Sequence, residues 1–300
     1  MNKLLIIGGS GLFGKSFIDC GARKKLIKHR INKIYIISRK KKKIKKTKYN
    51  YLEINYISKN FLRIKKIPKV DFIIYCLRDN SIKNSSAYFQ NLQRIILKQK
   101  KKPKILYTSS GAIYGENNKK IKFKEITKLD LKKINRLKGY KKKYALEKIY
   151  IENKFRQLGQ SNIKVSIARC FNFVGKYIIN SDQAIGDMLS NIQNKKIIKL
   201  KTKINVFRAY MNTDDLVNWL ITILKKSNKD CPIYNVGSDK EINLFSLGKK
   251  ISKIFNKKFS FKPINNKKID YYVPSINKAK KLLKLKIQIN LNDSLNSFIK

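Results

Sequence analysis

A chain of 300 residues that is 42% hydrophobic can bury one large core, or a large one and a smaller one, and no apolar run in it is long enough to span a bilayer. The formal net charge of +53 would by itself suggest nucleic acid or an anionic surface as partner, but lysine, isoleucine and asparagine are in excess together and the lysines run through the whole length, the signature of compositional drift toward A and T. Such a field would steer an anionic substrate as a by-product. Cys20, Cys76, Cys170 and Cys231 are scattered, without a Cys-x-x-Cys pair; that fits a reducing, cytoplasmic setting and no metal site. His29 is the single histidine, and no motif points to it.

Leu4 to Ile7 is a continuous apolar run that breaks at Gly8-Gly9-Ser10-Gly11. It is too short for a secretory signal and reads as a buried parallel strand. A helix is predicted from about Gly14 to Lys28, then strands at Ile34–Ile37 and Tyr51–Tyr56, with the lysine run 40–46 as a solvated loop after the second strand. Val70–Cys76 is a fourth strand. Ala87–Lys98 is helical, with Phe89, Leu92, Ile95 and Ile96 on one face. Ile105–Thr108 is a fifth strand, Tyr140–Leu158 a long helix, Val165–Ala168 a sixth strand and Ile233–Val236 a late one. Strands alternating with helices predict an α/β fold, a doubly wound and mainly parallel sheet.

Glycines recur at Gly8, Gly11 and Gly14, between the first strand and its helix. The first permits a tight turn, the second lets backbone approach a pyrophosphate, and the third lets the helix pack on the sheet. The helix N-terminus then offers free N–H groups to phosphates. This is the Rossmann-type dinucleotide cradle. The second strand ends at Ser38-Arg39, where an acidic residue would favour NAD; serine and arginine suit a 2′-phosphate, which favours NADP over NAD.

Tyr144-Ala145-Leu146-Glu147-Lys148 puts Tyr144 and Lys148 one helical turn apart. In a chain with 16 tyrosines the spacing alone means little. Its position after Tyr107-Thr108-Ser109-Ser110-Gly111-Ala112-Ile113-Tyr114-Gly115, at the end of the fifth strand, gives it weight. A serine there and a tyrosine on the following helix can converge on one hydroxyl. Tyr144 is the candidate general base, Lys148 and an oxidised nicotinamide the positive charge that makes a phenol basic enough, and Ser110 the group that holds the reacting oxygen.

With these motifs the chain resembles the extended short-chain dehydrogenase/reductases, the NAD-dependent epimerase/dehydratase family. The resemblance continues in Arg169-Cys170-Phe171-Asn172-Phe173-Val174-Gly175, in Arg208-Ala209-Tyr210-Met211-Asn212-Thr213-Asp214-Asp215 and in Tyr234-Asn235-Val236-Gly237. It implies a nucleotide-sugar substrate held at its diphosphate by Asn172 and Arg208 and at its reacting oxygen by Ser110, and a cofactor touched by Gly8, Gly11, Leu12, Phe13, Gly14, Ser38, Arg39, Cys76, Leu77, Tyr144, Lys148 and Phe171. Asn91 matches a recurrent helix asparagine. Related enzymes pair through the helices at Ala87–Lys98 and Tyr140–Leu158, so a homodimer is expected. The NAD(P)-binding domain is expected over residues 1–172 and about 213–238, and a small C-terminal α/β substrate-binding domain over about 173–212 and 239–300. Two departures stand out: Cys76-Leu77 replaces a small pair, and Asn55-Tyr56 stands where an acidic residue often meets adenine.

Dehydratases of the family carry Asp-Glu directly after the catalytic serine or threonine. Here those positions are Gly111 and Ala112, which cannot transfer protons, although the family resemblance by itself leaves a 4,6-dehydratase open. The expected chemistry is hydride transfer at C4 of the sugar, by a 4-epimerase or a 4-ketoreductase. A catalytically silent NAD(P)-binding protein would lack the intact Ser110, Tyr144 and Lys148 set. An RNA-binding protein would show steep salt dependence.

Overall fold

The computed structural model describes residues 1–39, 47–49, 51–79, 81–179, 183–194, 197–200, 202, 204–261 and 267–299; the lysine run 40–46 lies outside them. The chain divides into two compact units. One comprises Met1–Ile113, Lys138–Arg169 and Val217–Tyr234, the other Tyr114–Leu137, Cys170–Leu216 and Asn235–Lys300. Residues 114–137, expected with the cofactor domain, therefore cluster with the second unit.

The strands of the main sheet are β1 (Asn2–Ile7), β2 (Ile31–Ser38), β3 (Thr47–Tyr49), β4 (Leu52–Ser58), β5 (Phe72–Tyr75), β6 (Lys104–Ser110), β7 (Val165–Cys170) and, past β8 (Asn172–Val174), β9 (Ile198–Leu200) and β10 (Asn205–Asn212), the late strand β11 (Ile233–Val236). Their order is β11-β7-β6-β5-β1-β2-β4-β3: seven parallel strands with the antiparallel β3 at one edge. β1 is flanked by β2 and β5, both parallel to it. Leu4, Leu5, Ile6 and Ile7 are all fully buried, which is why this strand reads as a run and not as an alternation. From β1 the chain builds β2 and β4 on one side and β5, β6 and β7 on the other. The order thus reverses beside β1, and the crevice of a doubly wound sheet opens there, beyond the carboxyl ends of β1 and β5.

Helix α1 (Leu12–Ala22) follows the glycine loop. It stops sooner than periodicity suggested, because Lys24 and Arg30 take left-handed backbone and the segment between tightens into a 3-10 turn at Ile27–His29. Helix α2 (Ile82–Leu97) starts earlier than expected, since the Ser81 hydroxyl caps it by accepting from the Asn84 N–H. After α3 (Leu131–Asn135) comes α4 (Tyr140–Gln160), which packs on α2 and β6. Under α2 and α4, Phe155 stacks on Tyr107 at 4.7 Å and meets Phe89 and Tyr75 edge-on at 5.0 and 5.3 Å.

Within the second unit β10 is the central strand, between the antiparallel β12 (Glu241–Asn243) and, past β13 (Phe259–Phe261), the parallel β14 (Ile269–Tyr272), and it continues to pair with β8. β13 pairs with β9. The helices here include α5 (Ala184–Gln193), α7 (Leu244–Phe255), α8 (Asn277–Leu283) and α9 (Leu291–Asn296), with α6 (Thr213–Lys225) between β10 and β11. Asn235, fully buried, accepts from the Tyr114 hydroxyl and donates to the carbonyls of Phe123 and Ser275. Asp215 accepts from the Gln288 and Ile289 N–H groups, which ties the C-terminal segment down. No described helix is long and apolar enough to cross a membrane.

Two buried polar groups set measurable terms in stability. Glu152 of α4 and Arg169 of β7 form a bidentate pair at 3.1 and 2.8 Å, each only 2% exposed. Removing one partner strands a buried charge, so Glu152→Ala is expected to cost about 3–5 kcal/mol by urea unfolding, while Glu152→Leu combined with Arg169→Met costs far less. An exposed-pair effect of about 0.5 kcal/mol would contradict this.

His29 is buried and its Nε2 lies 3.0 Å from Asn218 Oδ1. Burial first, then Lys225 and Lys28, push its imidazole down to about 4, against the Asn218 hydrogen bond. An unfolded chain titrates this group near 6.5. Between those values the unfolded state binds the extra proton, so stability is present above about pH 6.5 and is lost as pH falls toward about 4, by about 3 kcal/mol. With one histidine in the chain, a proton NMR titration reads this midpoint directly, and His29→Gln should flatten the acid slope of unfolding free energy. A midpoint near 6.5 would refute it.

Candidate functional site

At the switch point the backbone leaves no room for larger residues. Gly8 has φ +87°, and a Cβ on it would lie 2.8 Å from the Leu77 N and 2.9 Å from the Cys76 carbonyl. The ends of β1 and β5 are held this close by bonds from Cys76 N and Sγ to the Ile7 carbonyl, at 2.9 and 3.2 Å. A Cβ on Gly14 would lie 1.9 Å from the Gly9 carbonyl oxygen, whereas one on Gly11 would meet nothing within 4 Å. So Gly8 and Gly14 are packing requirements of the loop, and Gly11 stands at its open mouth. Leu12 and Phe13 then begin α1, and a helix N-terminus favours a phosphate. This backbone fits a dinucleotide pyrophosphate.

Beside the cradle is a pocket lined by Gly9, Ser10, Ile36, Ser38, Tyr56, Ile57 and Ser58. Ser38 and Ser58 are register partners on β2 and β4. Tyr56 reaches this pocket, while Asn55 donates to Glu53. The pocket lining contains no carboxylate. Arg39 is exposed, immediately after Ser38.

Ser110 is the last residue of β6, buried, its hydroxyl oxygen accepting from the Ala112 N–H at 3.2 Å. Tyr144 is half-buried on the first turns of α4, and Lys148 below it is 3% exposed. Lys148 Nζ lies 5.5 Å from the Tyr144 ring centre and 5.0 Å from that of Tyr107. Arg78, in the loop after β5, stands 5.0 Å from the Tyr144 ring. Two cations thus flank the one phenol ring. Arg78 escapes sequence reasoning because an arginine in a basic chain carries no signal; its place directly after Cys76-Leu77, at the carboxyl end of β5, was the available clue. Glu147 and Ser85, taken up below, escape it too.

Asn91 is structural. Its Nδ2 donates to the Phe61 and Ile64 carbonyls, and its Oδ1 accepts from Arg94, which fastens α2 to the 3-10 turn at Phe61–Arg63. Tyr140, one turn before Tyr144, is exposed.

The remaining expected residues belong to the second unit. Phe171 packs on Tyr272 at 4.7 Å, within an aromatic group completed by Tyr114 and Phe123. The sixth strand, expected over Val165–Ala168, runs on to Cys170 as β7, and Asn172 opens β8, opposite Tyr210 of β10. Its Nδ2 is buried without a hydrogen-bond partner, a donor that an anionic acceptor would satisfy. Arg208 lies two residues from Tyr210 on β10. Its fork is engaged: Nη1 and Nη2 bind the Asp270 carboxylate at 3.1 and 2.6 Å, and Nη1 also donates to the Phe207 and Asp270 carbonyls. None of the four cysteines is in a disulfide.

The model of the NAD dependent epimerase/dehydratase family matches residues 4–237. No curated protein sequence matches the chain. Among solved structures, it is similar to dTDP-glucose 4,6-dehydratase from Bacillus anthracis in complex with NAD, with TM-score 0.76 at 15% identity over 99% of this chain and 95% of that one. It is similar to UDP-glucose 4-epimerase from Thermotoga maritima with UDP-glucose, with TM-score 0.73 at 15% identity over 98% and 96%. A third is UDP-N-acetylglucosamine 4-epimerase from Bacillus cereus, with TM-score 0.72 at 15% identity over 99% and 95%. Identities this low establish the fold, and the family match extends from the glycine cradle through the Ser110, Tyr144 and Lys148 set to the Tyr-Asn-x-Gly strand: the chain belongs to the NAD dependent epimerase/dehydratase family and is an NAD-dependent enzyme of the short-chain type.

Proposed function

We propose that this enzyme acts at C4 of the sugar of a nucleotide-sugar, as a 4-epimerase or a 4-ketoreductase. The observation that carries the reading is Gly111-Ala112 next to a complete Ser110, Tyr144 and Lys148 set. Ser110, buried at the end of β6, is the hydroxyl that fixes the reacting sugar oxygen. Tyr144, flanked by Lys148 and Arg78, is the base that takes the proton from that oxygen. A bound nicotinamide would supply the hydride acceptor for this oxidation and, in the reductase direction, the hydride donor, with Tyr144 then giving its proton to the carbonyl oxygen. Gly111 and Ala112 bring no acid or base to C5 and C6, so elimination of water has no proton carrier there, and the reaction ends at redox or inversion. The named ligands of the similar structures, UDP-glucose among them, support a nucleotide-sugar as substrate.

Ser38, Arg39 and a pocket without a carboxylate favour NADP over NAD. Asn172, with its buried donor, and Arg208 are the diphosphate ligands, and Asp270 is the internal partner that the phosphate displaces from the Arg208 fork. The functional form is a homodimer built through α2 and α4.

Tyr144→Phe is expected to abolish turnover and leave NADP binding, read by fluorescence titration, nearly intact. Turnover near the wild-type level would move the base elsewhere, with Tyr140 as next candidate. Arg208→Ala is expected to weaken UDP, dTDP, GDP or CDP binding by roughly 10- to 100-fold, the loss of one charge-assisted contact, with NADP binding unchanged. Calorimetry on both proteins decides it. If no nucleoside diphosphate binds the wild type, the substrate is a smaller alcohol or ketone.

A further inference from the structure

Glu147 lies outside the Tyr-x-x-x-Lys pattern, yet it is as deeply buried as Lys148, at 1% exposure. Its Oε1 accepts from the Ser85 hydroxyl of α2 at 2.8 Å. Its Oε2 is buried without a hydrogen-bond partner and lies 3.8 Å from Lys148 Nζ, an ion-pair contact and not a hydrogen bond. Consecutive helical residues diverge by about 100°, so these two converge only because both side-chain ends turn into the same buried space. The other neighbours of that ammonium are the Tyr107 and Tyr144 rings and the Cys76 thiol, which burial pushes up to about 12 and so keeps neutral. Among the described residues Glu147 is the one carboxylate paired with Lys148.

We propose that Glu147 is a positioning residue: clamped by Ser85, it is the counter-ion that holds Lys148 as an ammonium beside Tyr144. This rests on the assignment of Tyr144 and Lys148 to the chemistry. A buried charge without a partner is strongly disfavoured and sheds its proton instead. Without Glu147, Lys148 becomes a neutral amine and no longer stabilises the phenolate. The groups facing the pair are Tyr144 on the same helix, Ser85 on α2, Tyr75 and Cys76 at the end of β5, Arg78 and Asp79 just after it, and Tyr107 on β6. Burial raises the Glu147 carboxyl above its ordinary range, opposed by Lys148 and Ser85, so the pair is dismantled from the acid side as well.

The test is Glu147→Gln, whose amide oxygen still accepts from Ser85. The first readout is on the protein without cofactor or substrate. A buried, slowly exchanging Nζ ammonium resonance, assigned by its loss in Lys148→Arg, should be present in the wild type at about pH 8 and absent in Glu147→Gln. In turnover, kcat should fall about 10- to 100-fold with KM changed less than about twofold. The rising limb of the kcat profile should move to higher pH, and Glu147→Asp should recover part of the loss. A limb that moves to lower pH overturns the proposal, because it means the ammonium survived and only an opposing negative charge was lost. So does an ammonium resonance that persists in Glu147→Gln. Should that variant fail to fold, Ser85→Ala carries the same NMR measurement: an unclamped carboxylate should speed exchange of the Nζ protons, and an unchanged rate overturns the clamp. If no nucleotide-sugar turns over, the substrate reading fails, and the resonance still decides the role of Glu147.

Discussion

Everything at the site hangs on how closely the ends of β1 and β5 approach. From Leu4 to Ile7 the β1 strand is buried on both faces and must be apolar, so it can bring nothing chemical to the site itself. What it brings is position. Its last carbonyl, on Ile7, receives both the N–H and the thiol of Cys76, and the next residue has to be glycine because the backbone of Cys76 and Leu77 occupies the space of a side chain. That contact fixes the cradle on one side of the crevice. On the other side, β5 and then β6 are laid down in parallel register, which sets Arg78 after β5 and Ser110 at the end of β6. A side chain at Gly8 would push the two strand ends apart and would disturb the glycine cradle and the loop that carries Arg78 together.

The fold was legible where one physical demand dominates a stretch of sequence. A fully buried parallel strand must be an apolar run, and Leu4–Ile7, Phe72–Tyr75 and Val165–Ala168 could be read directly. The glycine spacing could be read because each position answers a separate steric need. Boundaries were less legible, for local reasons: α2 begins at Ser81 through a hydroxyl cap, and α1 ends early because the chain turns left-handed at Lys24. Neither leaves a trace in hydrophobic periodicity. The candidate site divides the same way. Ser110, Tyr144 and Lys148 are a fixed spacing on defined elements. Arg78, Ser85 and Glu147 are not, since each is brought in by tertiary packing from a separate element or from the far side of a helix. Asn91 illustrates the converse: it matches a motif, and its hydrogen bonds account for it as a fastening of α2.

The fork of Arg208 carries a similar lesson. Sequence order places an arginine where an anionic ligand would be held, and nothing in that stretch announces Asp270, on the neighbouring strand β14, as its partner. An arginine paired in this way is preorganised: two carboxylate bonds and two carbonyl bonds hold its plane in one orientation. On the proposed role of Arg208, a diphosphate would exchange one bidentate anion for another.

The same reasoning gives meaning to a composition that looks uninformative. The chain has 71 basic residues and 18 acidic ones. Drift toward lysine costs little on an exposed surface, where a lost ion pair is worth well under about 1 kcal/mol. It cannot proceed where a carboxylate is buried against a fixed partner. Several of the acids that remain stand at such places: Glu152 against Arg169, Glu147 between Ser85 and Lys148, Asp215 on two backbone N–H groups. A scarce residue type is therefore more telling than an abundant one. Among so many lysines, the charge of any one says little until a buried carboxylate is found beside it, and on that criterion Lys148 stands apart from the lysines that only coat the surface.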